Sequence, residues 1–192
     1  MANAKGSIFI NFKDYVIKNH GGEGWEKLIG ILTHEEKELI GWKILPNRWY
    51  PMHIFKRLIE AYDNMFGDGS FHSIVPIAEH IADRDIVPFF LKFINLNNPS
   101  IILRNTTSLW KRYFDSGDIR IEAADDMHNC YRFLLDEFDD YSGLIFCTYM
   151  VSTWLKRILN VAGFGNITIT YTTSQDDHGS PGILEVRWGQ AS

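Results

Sequence analysis

The sequence predicts an α+β protein in which a helical N-terminal part packs with a four-stranded antiparallel sheet. Apolar residues recur at helical spacing through the first two-thirds of the chain, and polar and apolar residues then alternate from Asp118 to Ala123. Two short strand pairs flank one long apolar segment. Helices followed by strands are typical of the α+β class. We therefore expect one domain over residues 1–192, mainly helical over 1–116 and ββαββ over 117–192.

The first helices are indicated by apolar spacing and by the residues at their ends. One amphipathic face stops at Gly21-Gly22, a pair that interrupts helices, and consists of Ile8, Phe9, Phe12, Tyr15 and Val16. A short second helix follows and buries Trp25, Leu28, Ile29 and Leu32. Thr33 and Glu36 have the spacing of a capping box, so a third helix is expected to begin there.

The later helices follow the same signals. Pro51 suits the first turn of a helix, where its missing amide hydrogen is not needed. The stripe after it ends at Gly67 and Gly69 and comprises Ile54, Phe55, Leu58, Ile59, Tyr62 and Phe66. Two helices are expected around residues 74–81 and 87–94. Asn98-Pro99-Ser100 opens one more, whose buried side is Leu103, Thr106, Thr107, Trp110 and Phe114.

A change of period after Gly117 marks the start of the sheet. Residues 118–123 alternate as a half-buried strand does, 127–129 suit a turn, and 130–138 suit the returning strand. Asn166–Thr173 and Ile183–Trp188 predict a second hairpin around a turn at 176–182. Its outer, wet face is expected to carry Thr168, Thr170 and Thr172.

The segment between the hairpins, Tyr141–Ala162, is about as long as a membrane span. Polar residues interrupt it, namely Thr148, Ser152, Thr153, Lys156 and Arg157. A buried helix that ends at Gly163 and lies on the apolar face of the sheet is therefore the better interpretation.

Composition excludes some classes of function. The chain has a formal charge of −5 and an isoelectric point near 5.8, and no run of lysines or arginines offers nucleic acid a basic face. Two cysteines, Cys130 and Cys147, are expected to be reduced, because disulfides are rare in the cytosol. The N-terminal stretch is too short and polar for a signal peptide. We expect a cytoplasmic protein without a membrane span.

Motifs for metal binding and catalysis are missing from the sequence. His34-Glu35-Glu36-Lys37-Glu38 lacks the second histidine of a zinc-protease helix. Asp176-Asp177-His178-Gly179 has the composition of a hairpin turn. No phosphate-binding glycine loop, nucleophile elbow or CxxC pair occurs. An enzyme and a metal site are therefore not expected.

Several stretches resemble the haem nitric-oxide-binding (H-NOX) domains. These are GSIFINFKDYVIKNHGGEGWEKLI at the start, the Tyr50-Pro51 loop, and FKRLIEAYDNMFG after it. The same plan is similar to that of 4-vinyl-reductase-type ligand-binding domains and of TRAPP-type tethering subunits. A set of myxobacterial and related bacterial domains of unknown function is most similar, through a pattern matched here by Trp110, Tyr113, Gly117 and the helix between Gly143 and Gly163. The resemblance spans nearly the whole chain and implies an H-NOX-like fold.

The haem signatures of that family are altered in this sequence. The helix before the sheet carries N-x-x-x-L-H in H-NOX domains, and its histidine ligates the haem iron. The matching run is Asn105–Trp110, so Trp110 takes the ligand position, and an indole nitrogen has no free lone pair for iron. The arginine of the Y-x-S-x-R propionate clamp is missing from 134–139. His53, His72 and His80 remain as alternative haem ligands.

The resemblance and the aromatic residues together imply a role in sensing or regulation. Trp110 is either plain core or the wall of a pocket, which Phe55, Tyr62, Phe89, Phe90 and Phe93 would help to line. A small apolar ligand or a partner protein would shift the packing of helices against the sheet. Because the sequence has no second domain, the signal is expected to leave by protein contact, including a homodimer. A haem gas sensor and a ligand-free assembly module are the alternatives.

Overall fold

Helix α1, Gly6–Gly30, bends where the sequence places a glycine pair. The computed structural model describes residues 2–41, 43–94, 98–136, 146–173 and 182–190. At Gly21 the backbone adopts φ 71° and ψ −179°, which glycine tolerates best, and the helix continues beyond the kink. The break predicted at Gly21-Gly22 is therefore a bend between two helical halves.

Helix α2, His34–Ile40, begins at the predicted capping box. The amide of Thr33 donates to Oε2 of Glu36 at 2.8 Å, and the amide of Glu36 donates to Oγ1 of Thr33 at 3.3 Å. Helix α3, Met52–Phe66, adds Arg57, whose Nη1 lies 2.6 and 2.7 Å from the two oxygens of Glu36. One buried carboxylate therefore joins a helix cap to a second helix.

Two helices that the sequence predicts separately are joined without a loop. Helix α4, Ile74–Ile81, runs through a π-helical turn, Ala82–Ile86, into helix α5, Val87–Ile94. Pro88 in the first turn of α5 has no amide to donate, and its ring would crowd a carbonyl one α-turn earlier. The wider turn, in which Val87 N donates to the carbonyl of Ala82, relieves that conflict.

The last helical stretch before the sheet is two helices, where the sequence predicted one. Helix α6, Pro99–Arg104, ends at Asn105, and helix α7, Thr106–Tyr113, starts directly after it. Nδ2 of Asn105 donates to the carbonyl of Ile101 at 2.7 Å and competes with the backbone ladder. This local hydrogen bond sets the direction of α7.

The four-stranded antiparallel sheet has the order β3-β4-β6-β5. Its strands are β3 (Asp118–Asp125), β4 (Cys130–Asp136), β5 (Phe164–Thr173) and β6 (Gly182–Gln190). Register pairs Ile119 with Leu135 and Phe133 with Leu184, so apolar residues face the same side. The threonines of β5 lie exposed on the other side, as the alternation predicted.

The helix between the hairpins covers one edge of the sheet. A π-helical turn, Phe146–Val151, leads into helix α8, Ser152–Val161, which packs against β5. The beginning of the predicted long helix, at 141–145, falls outside the described residues. Gly163, with φ 87°, turns the chain into β5. Among the helices described, none is both long and apolar enough to cross a bilayer.

A second, two-stranded sheet was not predicted. Strand β1, Asn3–Lys5, precedes α1, and strand β2, Trp49–Pro51, precedes α3. They pair antiparallel, and Ala4 also forms an isolated bridge to Phe114 beyond α7. Strand β1 therefore connects the start of α3 to the end of α7.

Candidate functional site

Helix α7 presents one apolar side to the interior of the protein. Leu109, Trp110 and Tyr113 lie at helical spacing and are almost fully buried, with Trp110 only 4% exposed. Phe114 follows the helix in extended conformation and is buried as well. Trp110 is therefore part of the core.

A small cavity lies between α7 and α8. Its volume is about 20 Å³, and both helices supply mainly apolar side chains to its wall. From α7 and the residue after it come Thr106, Leu109, Trp110, Tyr113 and Phe114. From the other side come Val151, Trp154, Leu155 and Ile158. One water-sized molecule needs at least about 10–15 Å³, so the cavity admits one small guest.

Three aromatic rings of the cavity wall contact one another. The rings of Trp110 and Phe114 lie 4.4 Å apart between centroids, and Phe114 stacks on Trp154 at 6.3 Å with an interplanar angle of 15°. Nε1 of Trp110 donates to the carbonyl of Ser116 at 3.3 Å, a long hydrogen bond. Three rings from two helices and a connecting segment thus form one packed unit.

The chemistry of the wall is apolar apart from a few hydroxyl and indole groups. Thr106 is 4% exposed, and its Oγ1 has no hydrogen-bond partner among the residues that the structure describes. The hydroxyl of Tyr113 donates to the carbonyl of Asp85 at 3.4 Å. Burial, together with the charge of Asp85, raises the pKa of Tyr113. The described lining residues therefore suit a small apolar molecule, and none of them carries a charge.

Hydrogen bonds from strand β1 hold the segment that follows α7. The amide and Nδ2 of Asn3 donate to the two carboxylate oxygens of Asp115 at 2.7 and 2.6 Å, and Asp115 N donates back to the carbonyl of Asn3 at 3.2 Å. Burial acts to raise the pKa of Asp115, but these donors outweigh it and lower the pKa. We call this set of bonds the β1 clamp.

The aromatic residues predicted to share a pocket are distributed over three places. Trp110 lies in the cavity wall. Phe55 and Tyr62 lie in the core between α1 and α3, where both contact the ring of Phe12. Phe89 and Phe90 contact each other on α5 at 5.2 Å, and the side chain of Phe93 falls outside the described residues. Their role in holding a ligand remains a prediction.

The wall residues of α8 were not predicted from the sequence as part of a site. Trp154, Leu155 and Ile158 recur at positions i, i+1 and i+4 on the long apolar segment. That spacing was visible in the sequence and marks one helix face. The spacing did not show that α8 would face α7, because the two helices are about forty residues apart in the sequence.

None of the three alternative haem ligands is among the described residues that line the cavity. Nε2 of His53 pairs with Oε1 of Glu36 at 3.3 Å, and Nδ1 of His72 lies 2.8 Å from Oγ of Ser70. The ring of His80 contacts Tyr15 at 5.5 Å. Nε2 of His80 is buried without a partner among the described residues.

Burial, then the nearby cations Arg84 and Lys18, lower the pKa of His80. A neutral imidazole is the form that binds metals, so His80 has suitable chemistry for a ligand. Within the described part of the chain, however, no three histidine, cysteine or acidic side chains come together as a metal site. The predicted turn at 176–179 lies outside the described residues.

Solved structures of H-NOX proteins share this fold over nearly the whole chain. The Fe(II) unliganded H-NOX protein from K. algicida has a TM-score of 0.73 at 14% identity, covering 97% of each chain. The H-NOX protein from S. oneidensis in the Fe(II)NO ligation state has a TM-score of 0.70 at 11% identity, covering 97% of this chain and 99% of the other.

The IWP-051-bound H-NOX from Shewanella woodyi in the Fe(II)CO ligation state has a TM-score of 0.67 at 12% identity, covering 97% of this chain and 95% of the other. No family model and no curated protein matches the sequence. The fold is therefore H-NOX-like, as the resemblance implied. At such low identity the likeness concerns the fold alone, and the site must be judged from its own residues.

The described residues around α7 do not fit a haem held in the manner that the resemblance implies. An indole occupies the ligand position, and it is packed between Phe114 and the rest of the wall. Pockets for drug-sized ligands measure about 300–1,000 Å³, an order of magnitude above the cavity here. Of the region of the expected propionate clamp, 134–139, residues 137–139 lie outside the described residues.

Proposed function

We propose that this protein is a non-enzymatic sensory or regulatory domain that responds to a small apolar ligand or a partner protein. Its ligand site is the cavity between α7 and α8, and it works without a haem ligated from α7. The observation that carries the proposal is the position of Trp110, which closes an H-NOX-like interior down to about 20 Å³. An apolar wall with one spare hydroxyl favours small apolar guests over water, which needs two to four polar partners.

The proposed mechanism is a population shift between two packings of α7. In the packing described here the aromatic wall is closed. A ligand larger than the cavity would favour a second packing in which α7 moves away from α8, and it can shift the equilibrium only by its difference in affinity for the two. The β1 clamp would carry that movement to strand β1, because Asn3 binds the residue that ends the α7 segment.

Two other functions each have one supporting observation. A haem sensor with a different ligand is favoured by His80, whose buried Nε2 has no partner among the described residues. A ligand-free assembly module is favoured by the exposed apolar residues, among them Leu45 and Trp49. The proposed function is preferred because the cavity has an aromatic wall built from α7, Phe114 and α8.

The first test is titration of the purified protein with hemin, followed by visible absorption. We expect no Soret band that saturates at one hemin per chain, because Trp110 occupies the position at which the resemblance implies a ligating histidine and the cavity is far smaller than a haem. A saturating one-to-one band would contradict the exclusion of haem. Replacing His53, His72 and His80 in turn with alanine would then identify the ligand.

The second test uses xenon under pressure as the probe, because a single apolar atom suits so small a cavity, and methyl NMR as the readout. We expect the methyl signals of Leu109, Leu155 and Ile158 to shift on titration. Thr106→Ile adds bulk to the wall and should block the shifts, whereas Thr106→Val removes the hydroxyl at constant shape and should keep them. Shifts that Thr106→Ile leaves intact, or no shifts in the wild type, would contradict the assignment of the cavity as the ligand site.

A further inference from the structure

Residues Lys43–Trp49, with Lys5 beside them, form an exposed surface that we call the basic loop. Leu45 is 44% and Trp49 37% exposed, although both are large apolar side chains. Ile44 and Tyr50 on either side are buried and anchor the loop to the core. Exposed tryptophan and leucine on a fixed loop are features of binding surfaces, since tryptophan dominates interface energies.

The loop is held rigid by the first turn of α1. The amides of Gly6 and Ser7 donate to the carbonyls of Arg48 and Pro46 at 2.9 and 3.1 Å. These are amides that have no partner within their own helix, so the loop satisfies them. Gly6 permits the approach, because a Cβ there would lie 2.1 Å from the carbonyl oxygen of Leu45. A rigid loop loses little conformational entropy when it binds.

The indole of Trp49 is held in one orientation. Nζ of Lys5 lies 3.7 Å from the centroid of its ring and also donates to the carbonyl of Asn47 at 3.1 Å. Lys5 and Trp49 are paired across strands β1 and β2. A cation over an aromatic face stabilises the arrangement, so the exposed indole is prepared for contact.

The charged residues on the loop itself and Lys5 beside it are all cations. Lys5, Lys43 and Arg48 lie on or beside the loop, and no acidic residue occurs in the sequence from Leu39 to Ile59. The whole chain carries a formal charge of −5, so this concentration of cations is local. Complementary charge at an interface steers association and selects partners.

We infer that the basic loop docks a partner protein through a segment in which an apolar side chain is flanked by carboxylates. The apolar side chain would contact Leu45 and Trp49, and the carboxylates would meet Lys43 and Arg48. A second copy of this chain does not suit the surface, since a two-fold interface would place the same cations face to face. The inference rests on the proposed function insofar as it names the partner of that sensory domain.

An anionic membrane fits less well than a protein. Leu45 and Trp49 are more than half covered by their own chain, which leaves little to insert among acyl chains. Lipid-binding basic clusters hold about four to eight cations, and this loop has three. A shallow apolar contact with a charged rim is typical of protein interfaces.

The surface is also connected to the candidate ligand site. Strand β2 carries Trp49 and pairs with β1, and Ala4 of β1 bridges to Phe114 in the cavity wall. The docking surface and the cavity therefore contact the same short strand. A partner at the basic loop is placed to sense the position of α7.

The experiment is selection of a random dodecapeptide display library on the full-length protein. Wild-type protein should enrich peptides with acidic residues beside one aliphatic or aromatic residue. Synthesised peptides should bind wild type and lose about tenfold or more in affinity with Trp49→Ala or Leu45→Ser. Lys43→Glu with Arg48→Glu should abolish the acidic preference. Circular dichroism confirms that each variant is folded.

Three outcomes would overturn the inference. They are no enrichment, enrichment without acidic residues, and peptides that bind the Trp49→Ala variant as well as wild type. Sedimentation with phosphatidylserine vesicles is run beside the selection, and Trp49-dependent vesicle binding without peptide enrichment would assign the loop to membranes.

Thr106→Ile protein serves as a further control. Because Thr106 lies in the cavity wall and not in the basic loop, peptide binding to this variant separates failure of the docking surface from failure of the ligand site.

Discussion

Trp110→Ala tests the role assigned to Trp110 in closing the interior. A buried tryptophan removes about 200 Å² of surface from water, which at about 25 cal/mol per Å² corresponds to about 5 kcal/mol. That value is an upper bound, because the unfolded chain already covers part of the same surface. Since Trp110 is 4% exposed, we expect the free energy of unfolding to fall by about 3–5 kcal/mol.

The hydrogen bond of Trp110 adds little to this magnitude. Its Nε1 lies 3.3 Å from the carbonyl of Ser116, so its loss should account for no more than about 1 kcal/mol. The greater part of the effect should come from the ring contact with Phe114 at 4.4 Å and from the enlarged cavity.

Urea unfolding followed by far-ultraviolet circular dichroism measures the effect. Met127→Ala is the matched control, because Met127 is 90% exposed and its loss should change stability by about 0.5 kcal/mol or less. Indole added to the Trp110→Ala variant should refill the space and, at about 100 times its dissociation constant, restore about 2.7 kcal/mol. A loss below about 1 kcal/mol, or no effect of indole, would refute the interpretation of Trp110 as the group that fills the interior.

Three further substitutions test the supporting structure. Arg57→Ala should lower stability by about 2 kcal/mol in urea unfolding, because it removes the guanidinium from the buried carboxylate of Glu36. Arg57→Lys should recover part of the loss, and an Arg57→Ala variant as stable as the wild type would contradict the assigned pair. His80→Gln should reduce the loss of stability between pH 7.5 and 5.5. Because the pKa of His80 is lowered in the folded protein, the unfolded chain takes up the proton first as pH falls, and the folded state loses stability. An unchanged pH dependence in His80→Gln would count against the burial of His80. His34→Gln, at an exposed histidine, is the control. Gly6→Ala should lower stability by about 1–3 kcal/mol and shift the amide signals of the basic loop, since the added Cβ meets the carbonyl of Leu45; unshifted signals would mean that the loop is not anchored there.

Several local features could be predicted because their determinants lie close together in the sequence. Thr33 and Glu36 are three residues apart, and the capping box between them needs no other part of the chain. The kink at Gly21 follows from the freedom of one residue. Alternation in β5 placed its threonines on the wet face, because strand geometry fixes the sides of successive residues.

Other local features were missed because two signals competed. Apolar spacing from Leu103 to Phe114 favoured one helix, but the side chain of Asn105 bonds the carbonyl of Ile101 and ends the first part. The apolar spacing indicates which residues are buried, but it does not show whether the helix axis is straight. Periodicity alone does not distinguish one helix from two that meet at an angle.

The sequence by itself determined the α+β class of fold, the two hairpins of the four-stranded sheet and the helix between them. Only the tertiary structure decided that Trp110 faces Trp154 across a cavity of about 20 Å³, and that β1 joins α3 to the end of α7. The physical reason is the range of the interactions. Hydrogen bonds and side-chain spacing within a helix or hairpin act over a few residues, whereas packing depends on which distant surfaces fit together, and no single segment contains that information.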